Sequence, residues 1–318
     1  MLWLIVIVFI SGFRVDLGQD YAGYQSIYNN IDVRESVEPF LVILAKILNY
    51  FYLPDVSLFF VFSLFTFFFL LKYLRAQNLE IIYLMILIFI AVPHYYFQTY
   101  NLIRQMLAVV LFGYASTLIG TKWKYFLCIL FCALIHQSVL FVMPIVLILE
   151  RYKSFKLDKL LYIVSILLFF NTSFMRSIAL ALGNMLQIQY AEIYLSINTI
   201  DDFSMSLGPM LYINIILTTF ILLNKKKFVS MGMQREYNYF VVGQILFHLL
   251  SWDRTLIRIS YYFVFFYIVM IPSLVLLFKK QDRFVVNYAL ITIYLAFFLR
   301  SMLDIDNPFI PYKNYFGG

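Results

Sequence analysis

Four short clusters in this chain carry side chains able to do chemistry. The first is Arg14-Val-Asp16-Leu-Gly18-Gln-Asp20-Tyr21-Ala-Gly-Tyr24. A carboxylate at a membrane surface, flanked by Tyr hydroxyls, can take the proton of a sugar hydroxyl. Tyr21 and Tyr24 are three apart, so a helical turn sets them on similar faces, where their rings can stack on sugars. The competing reading is a solvated acidic loop with interfacial aromatics. The second cluster is Gln98-Thr-Tyr-Asn101-Leu-Ile-Arg104-Gln105. An arginine fork pairs bidentately with phosphate oxygens and can hold a pyrophosphate as charge develops on it; otherwise Arg104 is a snorkelling flank residue. The third is His136-Gln137-Ser138, where the imidazole is a general base, a ligand donor or a satisfied core residue. The fourth is Asp253-Arg254-Thr-Leu-Ile-Arg258. Its two guanidiniums lie four apart on one helix face, so an anion between them is stabilising unless Asp253 neutralises the pair. His94 and His248 have weaker cases. No second His stands at i+4 from His136 and no acid lies near it in sequence, so no metal site is signalled.

These clusters are embedded in 318 residues that are 63% hydrophobic, 20% aromatic and 13% charged. A soluble domain is roughly a quarter charged, which excludes a soluble globular enzyme; the apolar content excludes a disordered chain. Only two cysteines are present, too few for a disulfide scaffold. Cys128 and Cys132 are four apart in an apolar run and read as small packing residues. What remains is an all-α, polytopic integral membrane protein.

Apolar runs at 56–71, 81–97, 105–119, 125–149, 160–176, 209–223, 238–250, 257–278 and 284–299 predict about 9–11 transmembrane or re-entrant helices in a single membrane-embedded domain, 1–318. The run 40–53 is short, carries Lys46 and Asn49, and is expected to lie in the outer interface. The run 125–149 is interrupted by His136, Gln137, Ser138 and Pro144 and is expected to dip into the membrane and return. The first run, Met1 to Phe13, is short for a span. It crosses with Arg14 snorkelling, or the chain starts further upstream. Basic segments around Lys122 and Lys124, Arg151 to Lys159, Lys225 to Lys227 with Arg235, and Lys279 to Arg283 mark cytoplasmic loops. The net charge of +7 resides in such loops and signals no nucleic acid. The acidic loops 14–39 and 183–208, the segment 251–256 and the tail 300–318 then face outward. Any chemistry belongs at the outer surface or in a membrane cavity.

The string Arg14…Gly18-Gln-Asp20-Tyr21…Tyr24 resembles the R-x-x-x-G-x-D-Y-x-x-Y signature of EpsG/Wzy-type polysaccharide polymerases. Glu38-Pro39-Phe40, Ile103-Arg104-Gln105 with Ala108, His136-Gln137-Ser138, Arg258 with Tyr262-Phe263, and Pro311-Tyr312 follow in the same order. The resemblance covers about residues 10–315; the short apolar lead-in before Arg14 departs from it. It implies a GT-C-like glycosyltransferase in the bacterial cytoplasmic (inner) membrane. Such an enzyme joins undecaprenyl-pyrophosphate-linked oligosaccharide repeats into O-antigen, capsule or exopolysaccharide at the outer face. The implied partners are that lipid-linked oligosaccharide, membrane lipids, and a flippase and chain-length regulator of the same pathway.

On this reading Asp20 is the base and Asp16 the reserve. Arg104, Arg254 and Arg258 hold pyrophosphate. Arg14 pairs with an acid or a phosphate, and Gln105 joins the polar cluster around Arg104. His136 positions a ligand or supports Arg104, and Tyr21 and Tyr24 stack on sugar. No cofactor and no metal are expected. The rivals are a transporter or flippase of lipid-linked sugars, a glycan ligase and a membrane acyltransferase.

Overall fold

The computed structural model describes residues 2–30, 38–77, 80–92, 95–151, 156–185, 209–304, 307 and 309–317. The loop expected at 183–208 falls almost wholly outside the described residues, as does His94. The chain is about 76% helical and has no strand among the described residues, so it is the all-α membrane protein that its composition requires. Three stretches are long and apolar enough to cross a membrane: Val56–Ala76, Ile257–Leu277 and Arg283–Leu303. The last is decisive, because only Leu290 and Tyr294 among its 21 residues are buried. Phe284, Val285 and Leu299 stand exposed, a surface that water would not tolerate and lipid does.

The chain divides into two compact units, 1–140 with 278–318, and 141–277. The first unit holds α1 (Leu2–Gly12), α2 (Tyr21–Asn29), α3 (Pro39–Tyr50), α4 (Val56–Ala76), α5 (Ile82–Ala91), α6 (Gln98–Asn101), α7 (Ile103–Ser116), α8 (Lys122–Ile135) and the helix Arg283–Leu303. Helix α7 is apolar and buried almost all round, as a central helix must be; α4 and α8 pack on it, and α1 packs on α4. The α1–α4 contact is close because Gly12 has no side chain. A Cβ there would lie 2.8 Å from the Cα of Phe60, and Ser11 and Ser63 share a hydrogen bond of 2.8 Å across it. Small and hydroxyl residues are the usual means of bringing helices together where lipid removes the hydrophobic drive. Helix α3 buries Leu41, Ala45 and Leu48 and exposes Ile43, Ile47 and Tyr50. At 12 residues it is about 18 Å long, too short to span.

Among the apolar runs broken where a continuous helix was an alternative are 125–149 and 257–278. The run 125–149 splits at His136–Ser138 into α8 and the helix Val139–Arg151, with Pro144 inside the second. The run 257–278 is three pieces: Ile257–Val264, Tyr267–Met270 and a 3₁₀ helix Pro272–Leu277. Pro272 has no N–H to give and cannot continue the helical ladder.

In the second unit the helix Gln234–Leu250 packs on Ile257–Val264 and Asp158–Phe169. Asp158 accepts from Lys225 Nζ at 2.8 Å and from the Tyr237 hydroxyl at 2.6 Å. Glu150 pairs with Arg235 at 3.0 Å and accepts from Tyr239 at 2.9 Å. Lys225 and Arg235, expected as orientation signals, thus also tie helices together. Gly243 permits the closest approach: a Cβ there would meet the backbone nitrogen of Val264 at 2.6 Å. Gly243→Ala should therefore destabilise the protein by about 1–3 kcal/mol or more, read as a lower Tm in detergent. Gly120→Ala, where nothing lies within 4 Å, should melt as wild type. Equal melting of the two variants would show that the contact is not tight.

Candidate active site

The segment after α1 is organised around Arg14, which is completely buried. Its guanidinium donates to the carbonyl of Ser11 and, at 2.8 Å, to that of Tyr100. It also lies 4.7 Å from the Phe59 ring centre and 5.0 Å from that of Tyr100. Burial pushes it down to about 10, so it stays protonated at neutral pH. Among the described residues the hydrogen-bond partners of Arg14 are these carbonyls rather than the acid expected from sequence. The guanidinium fastens the end of α1 to the break between α6 and α7, which are separated by Leu102.

Gly18 belongs to the same contact. Its φ is +94°, a conformation that glycine adopts without strain. A Cβ there would collide with the Asn101 amide oxygen and come within 3.2 Å of the Tyr100 carbonyl oxygen. The spacing of Arg14 and Gly18 is thus the spacing needed to wrap a loop over Tyr100 and Asn101. Asp16 is also left-handed, at φ +53°, and its carboxylate is 3.9 Å from Lys313. The C-terminal tail closes over this loop. Val15 N–H donates to the Lys313 carbonyl at 3.1 Å, and Tyr315 N–H to the Phe13 carbonyl at 2.9 Å. The Tyr312 hydroxyl donates to the Ile10 carbonyl at 2.8 Å.

Asp20 stands before the first turn of α2, half-buried, and its side chain caps no backbone N–H. Tyr21 is buried, with its ring stacked on Phe59 at 4.5 Å and 9°; burial, with Asp55 adding, pushes its hydroxyl up to about 12. Tyr24 is buried too, edge-on to Phe59. Both rings, expected from their spacing to stack on sugar, are packed on Phe59.

Tyr24 instead leads to the most chemically suggestive group in the unit. The Arg104 guanidinium lies 5.4 Å from its ring centre, and Arg104 Nε reaches its hydroxyl at 3.5 Å. Arg104 Nη1 donates to Glu38 Oε2. The other carboxylate oxygen, Oε1, accepts from His136 Nδ1 at 2.8 Å. The three side chains come from the start of α3, the first turn of α7 and the end of α8. Their side-chain exposures are 13% for Glu38, 21% for Arg104 and 25% for His136, which leaves the group held yet reachable from outside. Glu38 immediately precedes Pro39, the first residue of α3, a position where Pro loses no needed donor and a carboxylate faces the positive helix end.

Glu38 is the residue that reading the sequence for chemistry passed over. Its partners are 66 and 98 residues away, so no spacing pattern could join them. Its signals were an acid before a helix-starting proline and its place in the Glu38-Pro39-Phe40 motif, neither of which gives it a chemical role. Gln105, expected beside Arg104, is buried in α7. In the second unit Asp253 accepts from the backbone N–H groups of Thr255 and Leu256, both at 2.8 Å, as an N-capping carboxylate does. Arg254 and Arg258 are exposed, one turn apart. Among the described residues no three His, Cys, Asp or Glu side chains converge as a metal site would need.

An all-α membrane protein with a partly exposed carboxylate–guanidinium–imidazole group is the class that fold and site define. The chain matches the EpsG family over residues 1–314 and belongs to it. That membership supports a role of the polysaccharide-polymerase type and suggests glycosyltransferase-like chemistry. No curated protein and no solved structure matches the chain.

Gly18→Ala should lower Tm by several degrees, because the loop must leave the α6–α7 break. Gly23→Ala, with nothing within 4 Å of its Cβ in α2, should be neutral or slightly stabilising. A Gly18→Ala protein as stable as Gly23→Ala would show that the close approach is not a constraint.

Proposed function

We propose that the protein joins undecaprenyl-pyrophosphate-linked oligosaccharide repeats into a surface polysaccharide at the outer face of the bacterial cytoplasmic membrane. The observation that carries this reading is the convergence of Glu38, Arg104 and His136 in a group that is anchored and partly exposed. Transfer between lipid-linked sugars needs two things of the protein: a site for the proton of the acceptor hydroxyl, and fixed positive charge for the departing pyrophosphate. The carboxylates of unit 1, Glu38 and Asp20, and the imidazole beside Glu38 offer the first. Arginines offer the second, and Arg104, Arg254 and Arg258 are the candidates. Asp16, exposed and 3.9 Å from Lys313, is the reserve carboxylate.

The acidic loop 14–39 faces outward on this reading, and the basic segments lie in the cytoplasm. Direct attack by the acceptor hydroxyl on the anomeric carbon inverts its configuration. The reaction runs without a metal, because arginine supplies the positive charge. A transporter or flippase would share the arginines but would need no proton acceptor.

The test is purified protein with a lipid-pyrophosphate-linked repeat unit, its products run on a gel. Wild type should give a ladder of lengthening chains that persists in EDTA. Arg254→Ala with Arg258→Ala should raise KM for the lipid-linked donor by about tenfold or more, as removal of a charge-assisted pair does. A folded wild-type protein that binds the lipid and makes no ladder would shift the reading to transport. A single capped product would indicate ligation.

A further inference from the structure

Resting on the glycosyl-transfer reading, we infer that the proton acceptor is the Nε2 atom of His136, with Glu38 and Arg104 as its positioning residues. An ionised carboxylate can only accept hydrogen bonds. The 2.8 Å contact between Glu38 Oε1 and His136 Nδ1 therefore puts the ring proton on Nδ1. In the neutral ring the lone pair is then on Nε2. This is the tautomer in which a carboxylate–imidazole pair takes a proton from a hydroxyl, the carboxylate orienting the ring and stabilising the imidazolium that forms.

The surrounding backbone favours the same assignment. His136 is the C-cap of α8: its N–H donates to the Cys132 carbonyl at 2.8 Å and its backbone is extended, with φ −157° and ψ 114°. The negative end of a helix stabilises an imidazolium. Glu38 lies at the opposite kind of terminus, where a carboxylate is stabilised. Its second oxygen is held by Arg104, which fixes the plane of the carboxylate and leaves it a poor proton acceptor itself. Among the described residues, the ring meets Glu38 from α3 and, through it, Arg104 from α7. Tyr24 of α2 stands beyond Arg104. Imidazole is the side chain whose ordinary titration range spans neutral pH, and a quarter of this one is exposed.

The step balances as follows. The acceptor sugar hydroxyl gives its proton to His136 Nε2 while its oxygen bonds to the anomeric carbon of the donor glycan. The bond from that carbon to the pyrophosphate oxygen breaks, and its electron pair leaves with the lipid pyrophosphate. The imidazolium then releases the proton to water.

The experiment uses full-length protein in lipid nanodiscs with a lipid-pyrophosphate-linked repeat unit, following substrate binding and chain elongation separately. His136→Ala should keep binding and lose elongation by about 10²–10⁴-fold. Added imidazole should restore part of the rate. Glu38→Gln should lower kcat with KM little changed, because the amide can hold the wrong tautomer. Elongation by His136→Ala near the wild-type rate would overturn the assignment. If alanine removes binding as well, His136→Gln decides: an active glutamine variant means that His136 only holds a ligand or the fold, whereas a variant that binds but does not elongate supports the base. Loss of elongation with no recovery in imidazole, in a variant that still binds, would also count against it. A wild-type protein that makes no polymer would remove the proposed function itself, an outcome distinct from all of these.

Discussion

A single buried guanidinium sets the geometry on which the candidate site depends. Arg14 brings a full charge into a place without water, where an isolated ion would cost several kcal/mol. It is tolerated because two carbonyl oxygens and two aromatic faces surround it. The carbonyl of Tyr100 is available because α6 stops at Asn101 and α7 restarts at Ile103. A helix break leaves backbone groups that must be paired inside the protein, and the guanidinium pairs one of them. Cation and break therefore stabilise each other. Two residues beyond the break stands Arg104, so the same contact that closes α1 over α6 fixes where α7 begins and where its guanidinium emerges.

Glu38 obeys the same rule with the opposite sign. A carboxylate with 13% exposure needs partners, and it has one for each oxygen. Truncating one member of a fully buried ionic group costs about 3–5 kcal/mol; the partial exposure here makes the figure smaller, since water can replace some of the lost contact. The group is therefore stable without being sealed. That combination suits a site whose reacting atoms must be reached by a sugar while the catalytic side chains keep their orientation.

The membrane class and the helical architecture were legible from composition and hydropathy alone, as was the break at His136, because polar residues interrupt the apolar run there. The clusters singled out for chemistry divide by physical cause. Arg104 and His136 keep a surface position because each lies at a helix terminus. Arg14, Tyr21 and Gln105 look like ligand-binding residues in sequence and are buried instead, since nothing in a one-dimensional pattern tells whether a polar side chain finds its partner inside. For Arg14 the partners are carbonyls, which every residue carries and no motif displays. Glu38 was hidden for the complementary reason: its neighbours come from helices far along the chain. Pro272 could be read as a breaker, whereas the additional interruption around Phe265 depends on packing against Gly243 and its helix.

The signature segment also acquires a physical meaning that is separate from catalysis. Arg14 and Gly18 fit the loop to Tyr100 and Asn101, and Tyr21 and Tyr24 pack on Phe59. Four of its distinctive residues thus have packing roles, and one of them, Tyr24, meets Arg104. Asp20 differs from them, being half-buried with a carboxylate that caps no backbone donor. A segment can hold its sequence pattern for reasons of folding and still serve the reaction, because Tyr24 supports the guanidinium that orients Glu38, and Glu38 in turn orients His136. In such a chain of contacts, mutating the signature lowers activity whether or not its residues touch the sugar. Loss of activity alone therefore cannot assign a catalytic role here; recovery of the rate by a small molecule that replaces only the missing side chain can.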